Sequence, residues 1–77
     1  MPTAYFELED NEQIVRLQKA LFIRGYFWPG GDRVVREAAG APWLVVNSDG
    51  FMSFLRVPPV GVRSEFDGVT LKLKFNE

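Results

Sequence analysis

Three aspartates that stand beside glycines are the carboxylates best placed to do acid–base chemistry: Asp32, Asp49 and Asp67. A pair of such carboxylates can act as general acid and base, as in glycoside hydrolysis. However, an aspartate next to a glycine is typical of a turn, because its side chain accepts hydrogen bonds from nearby backbone and glycine allows positive φ. We therefore interpret all three as turn residues and predict no catalytic residue.

The residue types that usually carry catalysis are absent, because the chain has no histidine and no cysteine. Without them there is no imidazole base, no thiol nucleophile and no usual ligand set for a transition metal. Ser48, Ser53 and Ser64 accordingly have no imidazole to activate them. The stretch PGGD at 29–32 lacks the lysine of a phosphate-binding loop. We expect a protein that is not an enzyme and that holds no cofactor or metal.

Length and charge restrict the partners. A chain of 77 residues predicts a single domain over 1–77. The net charge of −1 gives no general attraction to nucleic acid or to a membrane surface. No apolar run approaches the roughly 18 residues of a membrane span. The four acids of residues 7–12 precede the bases Arg16, Lys19 and Arg24, an order that suits the dipole of one helix.

The first half of the chain predicts a strand followed by a helix. Residues 3–8 alternate, with Ala4, Phe6 and Leu8 directed inward. Asp10 is a predicted N-cap, and the apolar spacing predicts a helix over about 11–24. Gly25 follows as the left-handed residue that ends it. We expect the helix residues Leu17, Leu21 and Phe22 to pack against Phe6, Val45 and Leu71.

The second half predicts strands. Residues 29–31 are a predicted turn. Residues 32–42 fit either a short helix or an irregular, strand-like segment, and Val34 and Val35 favour the latter. Residues 43–46 and 51–57 form a predicted hairpin around the turn NSDG at 47–50. Residues 69–75 alternate, with Val69, Leu71, Leu73 and Phe75 inward. The prediction is an α+β fold with one helix on a four- or five-stranded, mainly antiparallel sheet in the order β-α-β-β-β.

The two hairpin strands are apolar on both faces, whereas one helix covers only one face of a sheet. We predict that the second face binds a partner protein, which is either a second copy of the chain or a different protein. An alternative is that residues 29–40 fold over this face and bury Val34 and Val35. The residues assigned to the partner-binding surface are the apolar Tyr5, Met52 and Phe54, with a basic rim of Arg56, Lys72 and Lys74.

A different class of function remains open. Trp28 could stack on a nucleotide base while Arg33 and Arg36 contact its phosphates. The chain would then be a binding protein, or sponge, for a small ligand.

Three stretches together resemble a loose group of small bacteriophage and prophage proteins: LFIRGYFW at 21–28, WLVVNSDGFMS at 43–53 and VTL at 69–71. In that group a helix ends in an LF-x-x-GY-x-W pattern and precedes a strand, a DG turn, a second strand and a short terminal strand. The resemblance covers roughly residues 4–73, and its motifs are structural. It implies a phage protein that acts in the host cytoplasm and binds a host protein complex. Inhibition or redirection of that complex, as by anti-CRISPR proteins, is the function expected.

Overall fold

The structure is a computed structural model that describes residues 2–75. Its architecture is a small α+β fold in which one helix accompanies a three-stranded antiparallel sheet and a separate two-stranded sheet. The elements of the described chain are β1 (Thr3–Glu7), α1 (Asn11–Ile23), β2 (Trp43–Asn47), β3 (Met52–Leu55), β4 (Glu65–Phe66) and β5 (Leu71–Lys72).

Both ends of α1 are capped as the sequence predicts. The Asp10 carboxylate accepts a hydrogen bond from the Gln13 N–H at 2.8 Å. At the other end, the Gly25 N–H donates to the Phe22 carbonyl and the Tyr26 N–H donates to the Leu21 carbonyl. These two bonds are those of a Schellman motif, and Gly25 has the positive φ of 96° that the motif requires.

The register of the main sheet decides which residues meet the helix. The order is β1-β2-β3, and Phe6 pairs with Leu44, which pairs with Phe54. Ala4, Val46 and Met52 form the adjacent row on the same face. This face packs on α1, and the core consists of Ala4, Phe6, Leu17, Leu21, Trp28, Leu44, Val46, Met52 and Leu71.

The predicted helix contacts are therefore right for Phe6 and Leu71, both of which are in the core, and wrong for Val45. Val45 lies one residue out of phase with Leu44 and Val46 in β2, so it points to the other face. Leu17 and Leu21 are buried, and Phe22 is partly buried against the core.

The main sheet has three strands, so the prediction of four or five is wrong. Each outer edge carries one isolated bridge instead of a further strand: Arg63 lies beside Tyr5, and Phe27 lies beside Phe51. The last segment pairs locally, because the turn at Asp67 folds β5 back on β4. Each strand of this hairpin has two residues, and the hairpin forms a sheet of its own that is not paired with the main sheet.

The β4–β5 hairpin lies along α1. The Gln13 side chain donates to the Phe66 carbonyl at 3.1 Å, and Arg24 donates to the Leu71 carbonyl at 3.3 Å. β4 lies between the predicted strands 51–57 and 69–75, where the sequence predicted no strand. Of the residues predicted inward in 69–75, Leu71 is buried and Leu73 and Phe75 pack against the core, but Val69 at the hairpin turn is 89% exposed.

Residues 29–40 contain no helix or strand, as the irregular interpretation predicted. One helix side chain holds the segment. The Gln18 amide donates to the Arg36 carbonyl and accepts from the Arg36 N–H, both at 2.7 Å. The indole of Trp28 donates to the Val34 carbonyl at 2.8 Å. Gln18 is fully buried, and sequence analysis missed it because a glutamine in a helix is ordinarily exposed.

Replacing Gly25 by alanine should destabilise the fold by about 1 kcal/mol, because a Cβ is disfavoured at positive φ. No atom beyond the adjacent residues lies within 4 Å of the position that the Cβ would take, so the cost comes from the backbone conformation. Urea denaturation measures it. Gly25→Asn is the control and should cost less, since asparagine tolerates this conformation; equal losses for both variants would contradict the assignment.

Gln18→Leu should cost about 2–3 kcal/mol, because it leaves the Arg36 N–H and carbonyl without their partner. Gln13→Leu is the matched control on the same helix and should cost about 1 kcal/mol or less, since it removes one bond at a partly buried site. Both are measured by urea denaturation. A Gln18→Leu protein as stable as the wild type would show that residues 29–40 do not depend on this amide.

Candidate functional site

The face of the main sheet opposite α1, called the outer face below, carries a group of partly exposed apolar side chains. The register places Tyr5, Val45 and Ser53 in one row, and Glu7, Trp43 and Leu55 in the next. At the β3 edge the rings of Phe27 and Phe51 meet edge to face at 5.0 Å. The apolar members of the outer face are Tyr5, Phe27, Trp43, Val45, Phe51 and Leu55.

Polar groups border the outer face at both edges. Arg63 forms a 3.0 Å ion pair with Glu7 beside β1, and the Arg33 guanidinium lies 6.0 Å from the centre of the Phe27 ring. None of the six apolar residues of the outer face belongs to the core or to the side chains packed against it, among residues 2–75. An aromatic centre with a polar border is the composition of a protein-binding surface.

The sequence prediction put the wrong residues of β3 on this surface. Met52 and Phe54 lie on the helix face: Met52 is fully buried, and the Phe54 ring packs 5.0 Å from that of Trp28. Because both parities of β3 are apolar, its sequence could not show which one meets the helix. Tyr5 is on the outer face as predicted, and Trp43 and Leu55 replace Met52 and Phe54 there.

The predicted basic rim does not form around the outer face. Arg56 donates to the Ala39 carbonyl at 3.0 Å. Lys72 belongs to β5, opposite Glu65, and Lys74 forms a 3.5 Å ion pair with Glu65. Both lysines thus lie at the β4–β5 hairpin instead of at the border of the outer face. Their contact with a partner stays a prediction.

The alternative of a lid over the second face is also wrong. Residues 29–40 are held by Gln18 and Trp28 on the helix side of the sheet. Val34 remains 65% exposed and Val35 37% exposed, so neither is buried on Met52 or Phe54.

Two of the three residues of the alternative ligand site, Trp28 and Arg36, lie together as a packed unit, whereas Arg33 lies beside the Phe27 ring. Trp28 is 1% exposed, with Phe54 on one side and the Arg36 guanidinium 5.0 Å from its ring centre. Arg36 also forms an ion pair with Asp32 at 3.2 Å. No ring surface of Trp28 is left on which a base could stack, because those contacts already occupy it.

The Asp67 carboxylate accepts hydrogen bonds from the Thr70 and Val69 N–H groups. These bonds, with a smaller contribution from Lys72, lower the pKa of Asp67 below its ordinary value. This is the turn role that the sequence indicated. Ser64 is structural as well: its buried hydroxyl accepts from the Lys74 N–H at 2.7 Å.

A groove of about 580 Å³ lies between the end of β1, the first two turns of α1 and the β4–β5 hairpin. Buried Phe6, Ile14 and Leu17 form its floor. Its border is charged and comes from both ends of the sequence. Sequence analysis missed this groove because Glu65 and Asp67 join the acids of residues 7–12 only through the tertiary fold.

Comparison with other proteins adds no assignment, since no protein family, curated protein or solved structure matches this chain. Within residues 2–75, no helix combines the length and the apolar content that crossing a bilayer requires.

Two neighbouring substitutions in β3 test the assignment of the faces. Phe54→Glu should cost more than about 3 kcal/mol or abolish folding, because it removes the packing on Trp28 and places a charge against the core. Leu55→Glu should cost about 1 kcal/mol, since its side chain is on the partly exposed outer face. Circular dichroism during urea denaturation measures both. Similar losses for the two variants would contradict the register.

Proposed function

We propose that this chain is a small non-enzymatic binding protein that docks another protein through its outer face. One observation carries the proposal: six apolar side chains, four of them aromatic rings on neighbouring strands or bridges, share a face that neither the helix nor the core uses. Tyr and Trp side chains contribute much of the binding energy at protein interfaces, because they bury large area with few rotatable bonds.

The shape of the outer face favours a protein over a small molecule. Its residues lie on paired strands, where side chains stand side by side above the sheet. A partner surface laid across Tyr5, Val45 and Trp43 would remove their remaining exposed area from water, at about 25 cal/mol per Å² of apolar surface. The Glu7–Arg63 pair at the edge would stay in contact with solvent, as the polar rim of an interface does.

The partner proposed is a host protein complex that the chain inhibits or redirects. The support is the resemblance of residues 21–28, 43–53 and 69–71 to small bacteriophage and prophage proteins, together with the use that phages make of many short, cysteine-free chains to bind and block host machinery. In this proposal the chain acts in the host cytoplasm, and an anti-defence role such as anti-CRISPR inhibition is one form of it.

A nucleotide sponge built on Trp28, Arg33 and Arg36 is the weaker candidate. A base could stack on Trp28 only by displacing Phe54 from the core or Arg36 from its ion pair with Asp32. A clear rise in melting temperature with added nucleotides would favour this alternative.

The test is capture of a stoichiometric partner from a lysate of the host bacterium, followed by size-exclusion chromatography with light scattering. We expect the wild-type chain to co-elute with its partner and Leu55→Glu to lose it while remaining folded. Ile23→Glu and Val69→Glu are matched controls, because these side chains are 87% and 89% exposed away from the outer face, and both should retain the partner.

Two outcomes would contradict the proposal. Equal retention of the partner by Leu55→Glu and the wild type would remove the outer face from the interaction. A purified wild-type chain that forms a dimer, and a Leu55→Glu chain that is a monomer, would assign the outer face to self-association instead of a host protein.

A further inference from the structure

The groove beside β1 is a second surface that adjoins the outer face at the Glu7–Arg63 ion pair, and it lies at an edge of the main sheet. The Leu8 N–H donates to the Pro42 carbonyl, so the even residues of β1 direct their backbone groups toward β2. The odd residues direct theirs toward the opposite edge, where the Tyr5 carbonyl accepts from the Ser64 N–H. Glu7 is the next odd residue, and its N–H and carbonyl therefore face the groove.

Arg63 and Ser64 run beside β1 at Tyr5, and the chain leaves this edge of the sheet where the groove begins. After Ser64 it continues into Glu65–Phe66, which pair with Leu71–Lys72 instead of with β1. The groove thus occupies the place that a continued strand would fill. A strand edge of this kind can accept an extended peptide, which supplies the missing backbone hydrogen bonds.

The floor of the groove fits an apolar side chain. Phe6, Ile14 and Leu17 are 2%, 8% and 3% exposed, and partly buried Leu8 and Phe66 stand beside them. The volume of about 580 Å³ lies in the range of sites that bind drug-sized ligands, so it has room for an apolar side chain together with its neighbours in a short peptide.

The charges around the groove favour a basic occupant. Its lining contains the four acids Glu7, Glu9, Glu65 and Asp67. Glu7 and Glu65 are paired with Arg63 and Lys74, whereas Glu9 and Asp67 form no ion pair within residues 2–75. Next to the groove lie Asp10 and Glu12, the latter in an ion pair with Arg16. The protein as a whole carries a net charge of only −1, so this end is more acidic than the remainder. Among residues 2–75, no acids are grouped as a metal ion would require.

We propose that the groove binds an extended peptide segment that places one apolar side chain on the Phe6–Ile14–Leu17 floor and basic side chains beside Glu9 and Asp67. The segment lies along the edge of β1 that faces away from β2, and it hydrogen-bonds to the Glu7 backbone. In an extended peptide, residues two apart point the same way, so the sequence that fits is basic-x-apolar-x-basic.

The probe is the blocked peptide acetyl-Lys-Ser-Leu-Ser-Lys-amide, titrated into isotope-labelled protein and followed by amide chemical shifts. We expect saturable changes at Glu7, Gln13 and Phe66 in the millimolar range, which weaken with added salt. The acidic peptide acetyl-Glu-Ser-Leu-Ser-Glu-amide and the apolar-deleted peptide acetyl-Lys-Ser-Gly-Ser-Lys-amide should each bind clearly more weakly.

The protein variant is Glu9→Gln with Asp67→Asn, which removes two charges while asparagine keeps the oxygen that accepts from the turn backbone. Its dissociation constant should rise about threefold or more for each charge removed. Glu37→Gln with Asp49→Asn is the matched control, since it makes the same change in net charge away from the groove, and it should leave binding unchanged.

Three results would overturn the proposal. They are equal binding of the basic and acidic peptides, shift changes confined to the outer face, and equally strong binding of free butylammonium. The last would assign the groove to a small cation instead of a peptide. Leu55→Glu should leave this binding intact, so failure at the groove and failure at the outer face are distinguishable.

Discussion

The closure of the core beside β3 depends on the buried amide of Gln18. Residues 2–75 contain one 13-residue helix and a main sheet of three short strands with which to enclose the core. A domain of this size buries only a modest fraction of its surface, so an irregular segment has to cover what the helix cannot. Gln18 makes this possible, because its amide gives the Arg36 N–H and carbonyl the partners that a strand would otherwise supply.

The aromatic residues near this segment follow from the same constraint. With the Arg36 backbone fixed, its guanidinium lies over Trp28, whose indole is itself bonded to the Val34 carbonyl. Trp28 then packs on Phe54 and completes the core. Residues whose types suggest nucleotide recognition are thereby used for stability, since the ring faces and the guanidinium already have partners within the chain.

The other side of the sheet is left uncovered, because the helix, the β4–β5 hairpin and residues 29–40 all lie on the same side. The outer face keeps its aromatic and aliphatic side chains partly exposed, which is a cost for a small protein in water unless a partner covers them. The hairpin has a second consequence, because its departure from β1 opens the groove. The outer face is thus exposed because these elements all pack on the other side of the sheet. The groove is open because the hairpin turns away from the edge of β1.

The sequence alone determined the local structure and excluded much chemistry. Asp10 begins the helix, Gly25 ends it, and residues 47–50 form the hairpin turn. These features can be predicted because caps and turns depend on residues within a few positions of each other. The absence of histidine and cysteine is likewise visible without a structure. The α+β class followed from the same local patterns, although β4 was too short to produce one.

Only the tertiary structure decided the faces, the edges and the sites. β2 and β3 are apolar at both parities, so their own sequence permits either face to meet the helix; pairing with Ala4 and Phe6 of β1 selects Leu44, Val46, Met52 and Phe54. The groove brings together Glu9 and Asp67, which are separated by more than half of the chain. The buried Gln18 amide likewise depends on Arg36, which is distant in sequence, for its hydrogen bonds. Such contacts depend on how the elements pack, and no local pattern encodes them.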